Sequence, residues 1–322
     1  MSFSPAYHLR TNKAVERLLF LELLRKLDGK LRTPIARYQY VGMGGPYLED
    51  FGAIHGTFGN RQMISLEIQK HVRSRQVINR PHSRVNLTLD STTDFVATYQ
   101  PGRTPIIAWF DYEWPNWKAQ IAESCDLLRQ LPQLSIFKIT LSGKTDWLDE
   151  GSAKDPMPAR ADRLTAMFGD YGTFTPAQLN TKSICETLYS IFHRAVAAAV
   201  PDTSNNSVRT LASFKYDDGT PILTVAVAVG APDRLEKIVA EGHLKGWPFS
   251  DLNWSGPKQI AIPPLSLREK LAVDAMLPDA TARQVLKQLR FRISKDYREC
   301  FEAMRNYVQF YRHVPAFLRV NL

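Results

Sequence analysis

The sequence predicts an α/β fold: a seven-stranded, mostly parallel sheet with an antiparallel final hairpin, followed by a helical C-terminal extension. Three observations predict it. Five β-prone runs alternate with stretches of helical spacing, and the continuous apolar run T-P-I-I-A-W-F-D at 104–111 suits a strand buried on both faces. The second, third and fourth runs each end on an acid, while the first ends in glycines. Finally, D-D-G-T-P separates two further β-prone runs, a hairpin signal that makes the sixth and seventh strands antiparallel neighbours.

The elements follow in order. Residues 12–27 read as a helix, because Val15, Leu18, Leu19 and Leu23 recur at three and four and Asp28-Gly29 stops the pattern. The strand runs are 37–42 (R-Y-Q-Y-V-G), 61–67 (R-Q-M-I-S-L-E), 84–90 (R-V-N-L-T-L-D), 104–111 and 134–143 (L-S-I-F-K-I-T-L-S-G). A helix at 121–131 presents Leu127, Leu128 and Leu131 on one side. Residues 144–180 are polar and rich in Asp, Gly and Pro, and are expected to form a long lid, insertion or interaction loop. A helix at 183–200 then leads into the hairpin strands 209–216 and 222–229. The tail reads as mostly helical, with one apolar stripe through Leu286, Leu289, Ile293, Tyr297, Cys300, Met304, Val308 and Tyr311. The expected organisation is an N-terminal helical segment (1–36), an α/β domain (37–230) carrying the insertion at about 144–180, and the C-terminal extension (231–322).

At 322 residues, 44% hydrophobic and 23% charged, the chain is of ordinary globular composition, which excludes disorder, collagen and coiled coil. Three widely spaced cysteines, Cys125, Cys185 and Cys300, argue against a disulfide framework and a thiolate metal site, and favour a reducing, cytoplasmic setting. No apolar run approaches the roughly 20 residues of a membrane span, so no membrane partner is expected. The 41 bases exceed the 32 acids by nine, and the excess sits at the two ends: +5 in residues 1–37 and +6 in 283–322. Two solvated helix faces account for this plainly; a basic rim for an anionic acceptor or partner, nucleic acid or nucleotide among them, is the sharper reading.

Ligands of open parallel sheets bind outside the carboxyl ends of the strands. Here those ends carry Gly42, Gly44 and Gly45, then Glu67, Asp90 and Asp111. A glycine turn lets backbone approach a ligand closely, and an acid ending the second strand can accept both hydroxyls of a ribose; the interval from Gly42 to Glu67 is close to the roughly 20 residues of a nucleoside-binding unit. Each residue also has a plainer reading: a tight turn, a solvated acid, or, for Asp90 before Ser91-Thr92-Thr93-Asp94, the cap of the next helix. Trp109, Tyr112, Trp114 and Trp117 could stack on a base or simply pack. Of seven histidines, only His55 and His82 fall near the loops at strand ends.

This ordered set resembles the class I S-adenosylmethionine-dependent methyltransferases, over about residues 35–230. The segments L-R-T-N-K-A-V-E-R and Y-V-G-M-G-G-P-Y-L-E-D-F also resemble bacterial proteins described loosely as O-methyltransferases. The resemblance implies a Rossmann-like sheet and S-adenosyl-L-methionine as cofactor. It implies that Gly42, Gly44 and Gly45 turn around the methionine part, Glu67 holds the ribose hydroxyls and Asp90 meets the adenine amino group. Asp111 would face the methyl donor or the acceptor, with Tyr112 and Glu113 beside it; Asp111, Glu113 or His55 would serve an acceptor hydroxyl as base.

The departures matter too. Gln39-Tyr40-Val41 replace the acid that often precedes the first glycine, and Pro46 follows an early Gly45. The fourth strand ends D-Y-E-W-P-N, which counts against base-amino methylation, and no paired catalytic cysteine motif supports cytosine C5 methylation. Two alternatives stay open: a non-catalytic module of the same fold that binds nucleic acid or a protein, and a metal-dependent nuclease or hydrolase using Asp90, Asp111 and Glu113.

Overall fold

The computed structural model describes residues 10–31, 33–149, 156–203, 205–289 and 291–316. Residues 1–9, residues 150–155 of the expected insertion, Ser204, residues 317–322, and Arg32, Arg290 and Arg319 of the basic ends lie outside the described residues. The chain forms two compact units, one of Leu21–Lys215 with Thr220–Lys258, the other of Met1–Phe20, Tyr216–Gly219 and Gln259–Leu322.

The elements run α1 (Thr11–Leu27), β1 (Gln39–Gly42), α2 (Glu49–Phe58), β2 (Met63–Ser65), α3 (Lys70–Asn79), β3 (Val85–Leu87), α4 (Thr92–Thr98), β4 (Ile106–Asp111), α5 (Trp117–Gln130) and β5 (Ile136–Ser142). They continue through α6 (Met157–Phe168), α7 (Ile184–Ala199), β6 (Ser207–Asp217), β7 (Pro221–Gly230), α8 (Pro232–Glu241), β8 (Lys258–Ile260), α9 (Leu267–Asp274), α10 (Ala282–Gln288) and α11 (Tyr297–Phe310). The sheet order is β3-β2-β1-β4-β5-β7-β6-β8. Strands β1 to β5 pair in parallel, and β7 runs antiparallel to β5, with Ile136 opposite Ala228 and Ser142 opposite Ile222. The turn at 218–220 joins β6 to its neighbour β7, so the expected hairpin forms, and β8 lies beyond it at the sheet edge.

Every residue of β4 and of β5 is buried, as a parallel strand covered on both faces requires. The charged residues among them are Asp111 at the end of β4 and Lys138 in mid-β5, 1% exposed, whose ammonium lies 3.2 Å from the ring centroid of Trp109 on the paired strand. That contact returns part of the cost of desolvating the cation. The core around these strands draws on α5 through Ile121, Leu127 and Leu128 and on α7 through Leu188, Phe192 and Val196.

Three expectations need correction. The sheet has eight strands, because Lys258–Ile260 adds a short edge strand that three residues of weak alternation do not announce. The polar stretch 144–180 is not all loop among its described residues. It holds α6, whose Ala161, Leu164 and Phe168 repeat at three and four and are buried in the main core with Phe174 and Leu179. Arg160 anchors its first turn through a bidentate pair with Asp149 at 2.5 and 2.6 Å. Lastly, the C-terminal stripe is two helices. The chain leaves helical geometry at Leu289, and Asp296 caps α11 by accepting from the Glu299 N–H at 3.0 Å. Val273, Val285, Met304 and Tyr307 form the core of this second unit.

Candidate active site

Strand β1 sits between β2 and β4, so the chain leaves it toward opposite sides of the sheet and a crevice opens at its carboxyl end. Register shapes that crevice. Gly42, the last residue of β1, lies level with Ser65 on β2 and Trp109 on β4. Strand β4 runs on to Asp111, which stands about 7 Å beyond Gly42 at roughly 3.3 Å per residue. One wall of the crevice is therefore the end of β4, and its floor is the glycine turn.

Gly45 has φ 52°, a left-handed conformation that glycine adopts without penalty. Gly44 serves packing instead: a Cβ there would overlap the side chains of Leu48 and Phe51, so its absence lets the turn fold down onto α2. Helix α3 clamps the turn from the side. Gln76, fully buried, donates to the Gly45 carbonyl at 2.8 Å, Asn79 donates to the Pro46 carbonyl at 2.9 Å, and Arg75 donates to the Tyr47 hydroxyl at 3.0 Å.

Glu67 follows β2. Its Oε1 accepts the Gln69 backbone N–H at 2.8 Å, which fixes the carboxylate at the start of α3; Oε2 has no partner among the described residues. Ser65, level with Gly42, is fully buried and its hydroxyl is likewise unpartnered among the described residues. A pinned carboxylate with one free oxygen suits a diol such as ribose, and the glycine turn beside it suits the close approach of a nucleoside's neighbouring chain. Asp90 lies exposed beyond β3. The helix cap is Ser91, whose hydroxyl accepts the Asp94 N–H at 3.0 Å while Asp94 accepts the Ser91 N–H at 3.1 Å. The cap reading of Asp90 is thereby replaced, and its carboxylate stands at the same edge as Glu67.

Asp111 is 8% exposed at the end of β4. Glu113, two residues on, reaches solvent, and the protein packed around its carboxyl raises its pKa above the usual glutamate value. Tyr112 points elsewhere. Its buried hydroxyl donates to Glu123 of α5, which also accepts from Thr92 at 2.7 Å and Thr93 at 2.6 Å. Burial, and then the Glu123 charge, raise the phenol well above its ordinary pKa. It ties β4 to α4 and α5 and stays protonated, so the expectation that it acts beside Asp111 gives way to a bracing role.

His55 is also not brought to this edge. It lies in the last turn of α2, its Nδ1 paired with the Asn60 carbonyl at 2.8 Å and its ring centroid 4.4 Å from that of His82. The ten residues of α2 rise about 15 Å, carrying His55 back to the amino ends of the strands. The aromatic cluster divides likewise. Trp109, Tyr112 and Trp117 are core, while Trp114 is 71% exposed at the carboxyl edge, with the Lys144 ammonium 4.9 Å from its ring centroid. Sequence reasoning missed Ser65, Gln76 and Lys144. A serine ending an apolar run could have flagged the first; nothing local flags the others.

A parallel sheet with this strand order, an antiparallel β7 and a glycine–acid–acid–acid series along its carboxyl edge is a class I methyltransferase-type fold. A family model described as "Putative O-methyltransferase" matches residues 5–322, and the chain belongs to that methyltransferase family. S-adenosyl-L-methionine is the cofactor that membership implies. No curated protein matches the sequence. Among solved structures, cofactor-bound Rv0187 from MTB is 10% identical with TM-score 0.38, covering 71% of this chain and 82% of that one. Trm1 from Pyrococcus horikoshii with S-adenosyl-L-methionine is 11% identical with TM-score 0.47, covering 74% and 60%. TYW2 from P. horikoshii in complex with MeSAdo is 11% identical with TM-score 0.33, covering 65% and 61%, so this chain spans only about three fifths of the two archaeal proteins.

Proposed function

We propose that the protein transfers a methyl group from S-adenosyl-L-methionine to a hydroxyl of an anionic or nucleotide-bearing acceptor. The observation that carries this reading is the placement of Gly42, Gly45, Glu67, Asp90 and Asp111 on one sheet edge at the switch point, within a chain of a methyltransferase family. Glu67 would hold the ribose hydroxyls, Asp90 the adenine amino group and the turn at 42–45 the methionine part. When bound, the cofactor supplies a sulfonium-activated methyl group.

The protein's own task is to align the acceptor, exclude water and take the acceptor proton. Trp114 offers an exposed ring for a planar acceptor, and Lys144 beside it, paired with Asp146 at 3.4 Å, would have to exchange that partner to meet an anion. Asp111 and Glu113 are the two carboxylates that remain as base. The metal-dependent alternative lacks a ligand set, since among the described residues no group of three His, Cys, Asp or Glu side chains is placed to hold a metal.

The test is cofactor-linked stability. S-adenosyl-L-methionine at a hundred times its dissociation constant should stabilise the protein by about 2.7 kcal/mol, whereas NAD should not. Equal or absent shifts with both ligands refute the reading. Mass spectrometry of small molecules released from purified protein checks it independently.

The pH profile distinguishes the two bases. A general base must be ionised, so with Glu113 as base the rate falls as pH drops through its raised pKa. Glu113→Gln should then remove most of the activity. An unchanged acid limb in Glu113→Gln assigns the proton to Asp111.

A further inference from the structure

The opposite edge of the same sheet carries a second set of charges. A cavity of about 700 Å³ opens at the amino ends of the parallel strands, and four of its lining residues are arginines: Arg37, Arg61, Arg84 and Arg103. They lie one to four residues ahead of the register row Val85, Met63, Tyr40 and Ile107. The strands they precede are neighbours in the order β3, β2, β1 and β4, and all four arginines reach the same cavity. Adjacent strands are about 4.8 Å apart, so the four strand starts that these arginines precede span roughly 15 Å.

None of the four guanidiniums has a hydrogen bond or ion pair among the described residues, and no acid lines the cavity. This is unusual company for arginine, whose five donors in a planar fork match carboxylate or phosphate oxygens. Four unpaired cations so close together repel one another, and the fold supplies no counter-charge. Nearby, burial first, then the charge of His55 and further those of Arg84 and Arg61, hold His82 below the ordinary histidine pKa. The rest of the lining is small or neutral (Thr33, Gln62, Thr104, Pro105), with no aromatic ring on which a base could stack. The set thus recognises a run of negative charges and not a nucleobase.

We infer that this arginine row is a binding site for consecutive phosphates, and that its ligand is the backbone of a single nucleic acid strand. The linear arrangement across four strands favours an extended polyanion over a lone phosphate, and the lack of a base pocket predicts sequence-independent binding. The site is on the far edge from Glu67 and Asp111, so the inference does not rest on the methyl-transfer reading. The end-weighted charge count hides it, because three of the four arginines come from the near-neutral middle of the sequence.

The experiment is fluorescence anisotropy with a labelled single-stranded RNA 12-mer, titrated against salt, using the full chain. About four phosphate contacts should give a log–log salt slope near −2.8, at roughly −0.7 per contact. Replacing all four arginines by serine should flatten most of that slope and weaken binding at least tenfold at low salt. S-adenosyl-L-methionine affinity should stay unchanged, which separates this result from failure of the cofactor site. The four side chains are exposed and unpaired, so the variant should fold; an unfolding midpoint at or above that of the unaltered protein supports the row as an unbalanced cation cluster. Inorganic tripolyphosphate should compete with the RNA. The inference is overturned if the unaltered protein binds no RNA at low salt, if the variant keeps its slope, or if tripolyphosphate binds through these arginines and RNA does not.

Discussion

Glu67→Ala is expected to weaken S-adenosyl-L-methionine binding by ten- to a hundredfold. The carboxylate is held by the Gln69 N–H at 2.8 Å and keeps one oxygen without a partner among the described residues. Hydrogen bonds to a charged acceptor contribute about 1.5–3 kcal/mol each, and about 1.4 kcal/mol is a tenfold change in affinity. Because Oε1 is already pinned, little side-chain entropy opposes the contact. Glu67 is not part of the core, so the variant should unfold close to the midpoint of the unaltered protein. Isothermal calorimetry reads the effect directly. Unchanged affinity in a folded Glu67→Ala protein would remove Glu67 from the cofactor site. Glu67→Gln, which keeps the length but loses the charge, should fall between the two.

Trp117→Ala should produce the largest loss of stability. Trp117 opens α5, is fully buried, meets Trp147 edge-to-face at 5.2 Å and donates its indole N–H to the Ser142 carbonyl at 2.8 Å. Truncating a buried tryptophan costs about 3–5 kcal/mol through lost transfer energy and the cavity left behind. The carbonyl ending β5 also loses its donor. Trp117→Phe keeps the ring contact but not the hydrogen bond, and should cost about 1–3 kcal/mol. Urea unfolding measures both, and a loss under about 1 kcal/mol for Trp117→Ala contradicts the packing argument. The change should also loosen the connection that carries Glu113 and Trp114, so methyl transfer should fall by more than cofactor affinity.

The residues differ in how openly the sequence declared them. The 104–111 run announced β4 because a strand buried on both faces has to be apolar throughout, and the acid at its end had to be a special position. The glycines and Glu67 were legible for a similar reason: they break the texture within three residues of where β1 and β2 stop. Tyr112 was misjudged, because adjacent strand residues face opposite sides and only packing shows which side is the crevice. Its partner Glu123 is eleven residues on and comes into reach only when α5 folds back along β4. Helix α6 was missed because Pro, Gly and Asp around it read as loop, while its three buried residues needed a core to bury against.

By itself, then, the sequence determined what is local: the order of the first seven strands, the hairpin, the glycine turn, the acid that ends β4 and the acids that follow β2 and β3. Period and chain reversal are written in neighbouring residues. The tertiary structure alone decided which of those residues share an edge. Helix α2 runs against the strands and takes His55 away from Asp111, and the sheet order of β1 to β4 brings Arg37, Arg61, Arg84 and Arg103 from across 67 positions to one cavity. Such groupings depend on helix direction and strand pairing between distant segments, and no window of the sequence contains both partners.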